Sequence, residues 1–178
     1  LVDWIISNHK HQGSGLEILD IGTGSGCIAV ALAKNFSKAS ISGLDISEKA
    51  LEVAQENAIK NQVLVSFCQK DILETTALEK KYDLVVSNPP YVRQLEKKAM
   101  SANVLDNEPG GALFVPNEDP LLFYRKIAQL ALVSLQEKGW LYFEINEYLS
   151  NEMDALLNEI GFVNIEIKKD FRAVPRMI

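Results

Sequence analysis

The chain has 178 residues, 47% of them hydrophobic and 24% charged, enough to build one globular core. Six prolines and ten glycines exclude a low-complexity or disordered chain, and no apolar run approaches the roughly 18 residues that span a membrane, so no membrane contact is expected. The net charge of −6 leaves no surplus of lysine and arginine to neutralise phosphates, which counts against stable nucleic-acid binding outside a local patch such as Arg93, Lys97 and Lys98.

The opening "LVDWIISNH" reads as part of an amphipathic helix with no start signal and no secretory character, so the chain is expected to be a fragment whose upstream part is missing. His9 and His11 flank a lysine in a polar stretch and are expected in a solvated loop. "LEILDI" (16–21) predicts a strand ending at glycines, and "CIAVALAKNF" (27–36) a helix. "ASISGLDI" (39–46) predicts a second strand, after which Ser47 caps a helix running to about Asn61. "VLVSF" (63–67) is the third predicted strand, a short polar helix or loop runs to 80, and "YDLVVSN" (82–88) is the fourth strand. Residues 92–118 are weakly patterned, and loops of that length inside compact domains are usually functional.

Asp119-Pro120 predicts a helix start with Asp as N-cap, one face formed by Phe123, Ile127, Leu130 and Ser134, and a stop at Gly139. "WLYFEI" (140–145) is the fifth strand, Ser150–Ile160 a helix ended by Gly161, and "FVNIEIKK" (162–169) the sixth strand. The tail "RAVPRMI" is expected as an edge strand, the only place in a sheet that tolerates Pro175. Strand alternating with helix predicts a single α/β domain over 1–178, a mainly parallel sheet with helices on both faces. Cys27 and Cys68 lie in apolar sequence with no second ligand at metal spacing, so free thiols in a reducing cytosol, and no metal, are expected.

"LDIGTGSG" places Gly22, Thr23, Gly24, Ser25 and Gly26 between the first strand and its helix. Such a loop turns sharply and lets a ligand approach the helix N-terminus, although G-x-G-x-G differs from the dinucleotide spacing G-x-G-x-x-G. A tight strand-to-helix turn is the plain alternative. Asp45 ends the second strand, where a carboxylate accepts both hydroxyls of a ribose, and Asp71 ends the third, where it accepts an adenine amino group with Ile72 against the ring. Asp71 serving only as a cap of the next segment is equally compatible with the sequence. A nucleoside with a small zwitterionic tail suits these features as well as a dinucleotide does.

"SNPPYV" follows the fourth strand and reaches the same end of the sheet. The Asn88 side chain and the Pro89 carbonyl offer two acceptors that Pro89 and Pro90 hold in place, and Tyr91 adds an aromatic face. Two fixed acceptors suit a planar –NH2 group: they hold both hydrogens and stabilise positive charge developing on nitrogen as it attacks a methyl group. A strand terminator with a buried tyrosine is the plain alternative.

Together, "LDIGTGSGCIAVALA", "GLDIS", "KDI", "YDLVVSNPPYV", "NEPGGALF" and "DPLLFYRKI" resemble the release-factor glutamine-N5 methyltransferases, within the class I S-adenosylmethionine-dependent methyltransferases. The resemblance implies a Rossmann-like fold with a seven-stranded sheet and a reversed strand near its C-terminal edge. It implies S-adenosyl-L-methionine as cofactor, S-adenosyl-L-homocysteine as product, and methylation of the Gly-Gly-Gln glutamine of peptide-chain release factors in the cytoplasm. Residues 22–26 are then expected to cradle the methionine part, Asp45 the ribose, Asp71 and Ile72 the adenine region. Asn88 and the Pro89 carbonyl hold the glutamine amide, Asn88 also adjoining the cofactor, with Pro90 and Tyr91 beside it. Two departures concern loop shape: Val115-Pro116-Asn117 stands where the family carries glycines, and Asn146 where it carries a glycine after Glu-Ile. The alternatives are a methyltransferase for the exocyclic amine of adenine or guanine in DNA or RNA, a cofactor-binding module without turnover and, more distantly, a nicotinamide oxidoreductase.

Overall fold

The computed structural model describes residues 1–10, 15–90, 92–93, 114–115 and 119–178. Five strands form the central sheet: β1 (Glu17–Ile21), β2 (Ser40–Asp45), β3 (Ser66–Gln69), β4 (Tyr82–Ser87) and β7 (Leu135–Phe143). All pair in parallel, in the order β3-β2-β1-β4-β7. The chain builds outward from β1 to β3, then crosses back and builds the other way from β4, so β1 and β4 flank a topological switch point.

The two faces follow from side-chain alternation along each strand. Ile18, Leu84, Val86 and Tyr142 point to one face, beneath α1 (Val2–His9) and α2 (Cys27–Asn35), which supply Ile5, Ala29 and Leu32. Leu19, Ile21, Val85 and Phe143 point to the other, beneath α4 (Leu122–Ser134) and α5 (Ser150–Ile160), which supply Tyr124, Ile127, Met153 and Leu157. Burial on both faces explains why β1 and β4 read as near-continuous apolar runs. α3 (Glu48–Lys60) starts where Ser47 was expected to cap it: the Ser47 hydroxyl accepts the Ala50 N–H at 3.2 Å. α5 ends at Gly161, left-handed at φ +114°.

Several expectations need correction. Among the described residues the central sheet has five strands rather than seven. Residues 162–167 form no strand, with Asn164 at φ +56° breaking the extended run, and only β8 (Lys168–Lys169) remains of it. The tail, β9 (Pro175–Met177), forms an antiparallel hairpin with β8 and meets the end of β7 through the antiparallel bridge between Glu144 and Met177. β3 begins at Ser66 rather than 63, because the Val63 N–H returns to the Ala58 carbonyl at 3.1 Å to finish the end of α3. Residues 70–81, expected as a short polar helix or a loop, are a loop with one turn at 72–74.

α4 is capped at Leu121, since the Asp119 carboxylate is taken by Arg125 at 2.7 Å. It stops at Ser134, and Gly139 lies inside β7 instead of closing a helix. His9 is buried, its Nε2 2.8 Å from the Tyr142 hydroxyl, because the last turn of α1 packs onto β7. Cys27 and Cys68 are free but exposed, not in apolar surroundings. Within 92–118, β5 (Val92–Arg93) pairs in parallel with β6 (Phe114–Val115); the rest of that predicted loop, with Pro116 and Asn117, and His11 lie outside the described residues. Among the described residues no helix is long and apolar enough to cross a membrane.

Gly26, the N-cap of α2, packs closely against α3. It is left-handed at φ +79°, and a Cβ there would lie 3.0 Å from the Ala54 Cβ and 3.2 Å from its Cα. Gly26→Ala therefore adds backbone strain and overpacking, and is expected to lower stability by about 2–4 kcal/mol. Urea unfolding checks this as a lower midpoint with an unchanged slope.

Candidate functional site

The C-terminal ends of β1, β2, β3 and β4 bring the predicted residues to one edge of the sheet, the usual ligand side of an open α/β fold. Asp20, fully buried near the end of β1, accepts the Thr23 hydroxyl at 2.6 Å and the Ala29 N–H at 3.2 Å through the same oxygen, Oδ2. These bonds tie the loop and the first turn of α2 to the strand. On the other side, Asp45 at the end of β2 accepts the Gly24 N–H at 2.8 Å through Oδ2 and the Ser47 N–H at 2.9 Å through Oδ1. Gly22 and Thr23 N–H groups both donate to the Leu44 carbonyl, at 2.8 and 2.9 Å, and Asn57 of α3 donates to the Ser25 carbonyl at 2.9 Å. The five-residue loop is thus held from three elements. At Gly24, φ is +55° and an added Cβ would meet nothing within 4 Å, so the strand-to-helix turn leaves open space above it.

Asp71 is half-buried, and its Oδ1 accepts the Leu73 N–H at 2.8 Å. The turn-capping role weighed for it is therefore present, whatever further contact it makes. Ile72 is partly buried and packs toward the core under α4 and α5. Beyond β4, the Ser87 hydroxyl donates to the Ile21 carbonyl at 2.6 Å and the Ser87 carbonyl accepts the Glu144 N–H at 3.0 Å. These bonds fix the end of β4 between β1 and the chain leaving β7. Asn88 is exposed, Pro89 buried and Pro90 half-buried. Tyr91 lies outside the described residues.

Two residues escaped the sequence reading. Asp20 was legible as an acid inside an otherwise buried strand, a pattern that demands partners; its Oδ1 has none. Ile46, directly after Asp45, is 62% exposed, an apolar surface between the ends of β2 and β3 on which a flat ring can rest. Two surface hollows, of about 70 and 290 Å³, lie elsewhere: beside Trp4, Trp140 and Phe162, and between β3 and residues 78–82.

The family model described as the methyltransferase small domain matches residues 3–115. The chain belongs to that family. It is 53% identical to a release factor glutamine methyltransferase of Flavobacterium psychrophilum and 43% identical to that of Bacteroides thetaiotaomicron, in each case over 100% of this chain and 63% of the relative. The family resemblance read from the motifs is borne out, and the chain spans just under two thirds of the length of these curated relatives. A methyltransferase from Pyrococcus furiosus superposes with a TM-score of 0.69 over 99% of this chain and 79% of that one, at 18% identity, a likeness of fold. The domain has the Rossmann-like α/β fold of class I methyltransferases, on a parallel sheet.

In this methyltransferase domain, burial is the main cause that raises the Asp20 carboxyl from 3.8 to about 6; the Thr23 and Ala29 hydrogen bonds oppose the shift, and the nearby Asp45 charge adds to it. Below pH 3.8 the group is protonated in native and unfolded chains alike, and between 3.8 and about 6 only the native chain holds the proton. Stability therefore falls as pH rises through that window, by about 3 kcal/mol, and no further above it. Asp20→Asn removes this titration, so the stability difference between wild type and variant should move by about 2.5 kcal/mol between pH 4 and pH 7 against the wild type. Urea unfolding at both pH values measures it, and parallel pH dependence in the two proteins would contradict the assignment.

Proposed function

We propose that residues 1–178 act as one S-adenosyl-L-methionine-dependent methyltransferase domain. Its acceptor is the side-chain amide nitrogen of a glutamine, in the Gly-Gly-Gln motif of a peptide-chain release factor. The observation that carries the reading is the exposed Asn88 at the end of β4, one strand from the glycine loop, in a chain 53% identical to a release factor glutamine methyltransferase.

The residues present fit the cofactor. Two carboxylates, Asp20 and Asp45, flank the loop, and the buried Asp20 Oδ1 lacks a partner, an environment that favours a cationic ligand. The open space over Gly24 admits a methionine tail beside residues 22–26. Asp45 keeps acceptor capacity for ribose hydroxyls, since each oxygen has one N–H donor among the described residues. Asp71, Ile72 and the exposed Ile46 border the adenine position.

When bound, the cofactor supplies an electrophilic methyl group on a sulfonium. The protein's part is orientation. Asn88 and the Pro89 carbonyl accept the two amide hydrogens of the glutamine, so that the nitrogen faces the methyl carbon. Pro90 restricts the chain behind them, and Tyr91, outside the described residues, would supply an aromatic face for the amide plane. S-adenosyl-L-methionine held beside residues 22–26 would supply the methyl group, and the proton displaced from the glutamine nitrogen would leave to water. The acceptor carbonyls stabilise the charge that passes through nitrogen. The reaction belongs to the cytoplasm, where release factors work.

Incubation of the chain with S-adenosyl-L-methionine and a release factor, followed by mass spectrometry of the Gly-Gly-Gln peptide, should find one added methyl on the glutamine. Asn88→Ala is expected to lower the rate about 100-fold or more, the scale of one lost transition-state hydrogen bond in a preorganised site. An unchanged rate in that variant would sink the amide clamp. A methyl found only on adenine or guanine of added nucleic acid would sink the substrate.

A further inference from the structure

The C-terminal tail runs antiparallel to the chain leaving β7. Phe143 and Ile178 exchange backbone hydrogen bonds of 2.8 and 3.0 Å, Glu144 bridges Met177, and the Ile145 N–H donates to the Arg176 carbonyl at 2.9 Å. Because the tail is reversed, the residues before it, 170–174, emerge beyond the C-terminal end of the sheet, the end that carries Asn88. Ser87 is level with Phe143 in the ladder, which puts Asn88 level with Glu144 and Met177. Val174 is three residues further out, about 10 Å at the rise of an extended strand, and the tail stands two strand spacings from β4, about 10 Å to the side. The hairpin tip therefore starts at the same end of the sheet as Asn88, on the order of 15 Å from it.

The tip is rigidly built. The Asp170 N–H donates to the Val174 carbonyl at 2.8 Å and the Ala173 N–H to the Asp170 carbonyl at 3.0 Å. The Asp170 carboxylate accepts the Arg172 and Val174 N–H groups at 2.8 and 3.1 Å. Nothing in this frame uses the Phe171 ring, which is 98% exposed. Leaving a phenylalanine in water forgoes about 2 kcal/mol of burial, and a preformed support lowers the cost of ordering on contact. Lys169, Arg172 and Arg176 lie at the tip with Asp170, whose carboxylate serves the turn, while Lys168 is paired with Glu166 at 3.5 Å: a local excess of positive charge on a chain of net charge −6. At the same end, Tyr148 is 71% exposed on a 3-10 turn (Glu147–Leu149) that Asn146 caps and the buried Leu149 anchors.

We propose that the hairpin tip, Phe171 and Arg172 with Arg176 and Tyr148, is the docking surface for the protein that presents the glutamine. Phe171 enters an apolar depression of that protein, and the arginines meet acidic side chains around it. Aromatic residues and arginine are the side chains that most often anchor protein interfaces. A single projecting ring flanked by arginines differs from the basic groove with stacked aromatics that tracks a nucleic-acid backbone. The inference rests on the reading of the chain as a protein glutamine methyltransferase, and extends it from the reacting amide to the surface around it.

The test compares wild type with a Phe171→Ala, Arg172→Glu double variant, using an intact release factor and, separately, a short Gly-Gly-Gln peptide. The KM for the intact protein should rise about 10-fold or more, while kcat, the KM for the peptide and the affinity for S-adenosyl-L-methionine stay within about twofold. An unchanged KM for the intact protein overturns the docking surface and leaves the proposed function standing. Equal losses on peptide and protein, or a loss of cofactor affinity, also overturn it, by making the tip part of the reaction site or the fold. Loss of binding to a single-stranded RNA, with no change toward the release factor, would assign the tip to nucleic acid instead. A wild-type chain that transfers nothing to either acceptor overturns the proposed function and this inference with it.

Discussion

Two carboxylates on neighbouring strands hold the loop from Gly22 to Gly26. Asp20 grips Thr23 and the start of α2 from below, and Asp45 grips Gly24 from the side. The loop's conformation, the entry of α2 and the direction in which Asp45 faces all depend on this double hold. It has an electrostatic cost, because Asp20 is buried and lies near a second negative charge, and its raised pKa expresses that cost. A cationic ligand above the loop would relieve it. If the loop holds the cofactor, as proposed, the residues that fix it also favour a positively charged ligand.

The switch point divides the work. On the side of β1, β2 and β3 lie the loop, Asp45, Ile46 and Asp71, suited to a nucleoside with a charged tail. On the side of β4 and β7 lie Asn88, Pro89, the turn with Tyr148 and the hairpin tip with Phe171. The hydrogen bonds of Ser87 to Ile21 and from Glu144 to Ser87 lock the two sides together at the level where the reacting groups would meet. Transfer between two substrates needs such a fixed boundary, since a misplacement of an ångström at the reacting atoms is costly.

Elements governed by local chemistry were legible in the sequence. Ser47 capped its helix, Gly161 ended another, and the apolar runs of β1 and β4 were strands, because caps, left-handed glycines and two-sided burial leave local marks. What tertiary pairing decides was not legible. β3 starts where β2 offers partners, not where the β-branched run begins, and Leu64 is left 93% exposed. The α4–β7 boundary fell at Leu135, before the glycine that looked like a stop, because β4 pairs with residues on both sides of it. His9 looked solvated in its polar neighbourhood, and only the distant Tyr142 explains its burial. The site was read as a set of residues, with the turn-capping role of Asp71 among the readings, but the hold of Asp45 on Gly24 and the part played by Asp20 rest on contacts between elements that no local pattern marks.

The most direct measurement is calorimetric titration of the wild-type chain and of Asp45→Ala with S-adenosyl-L-methionine, with NAD as the control ligand. If the loop and its acids form the cofactor site, the wild type binds one S-adenosyl-L-methionine per chain and ignores NAD. The variant, still folded by its urea transition, should then bind about 10-fold or more weakly, the scale of a lost charge-assisted hydrogen-bond pair. Equal affinity in the two proteins, or comparable affinity for NAD, would contradict the account.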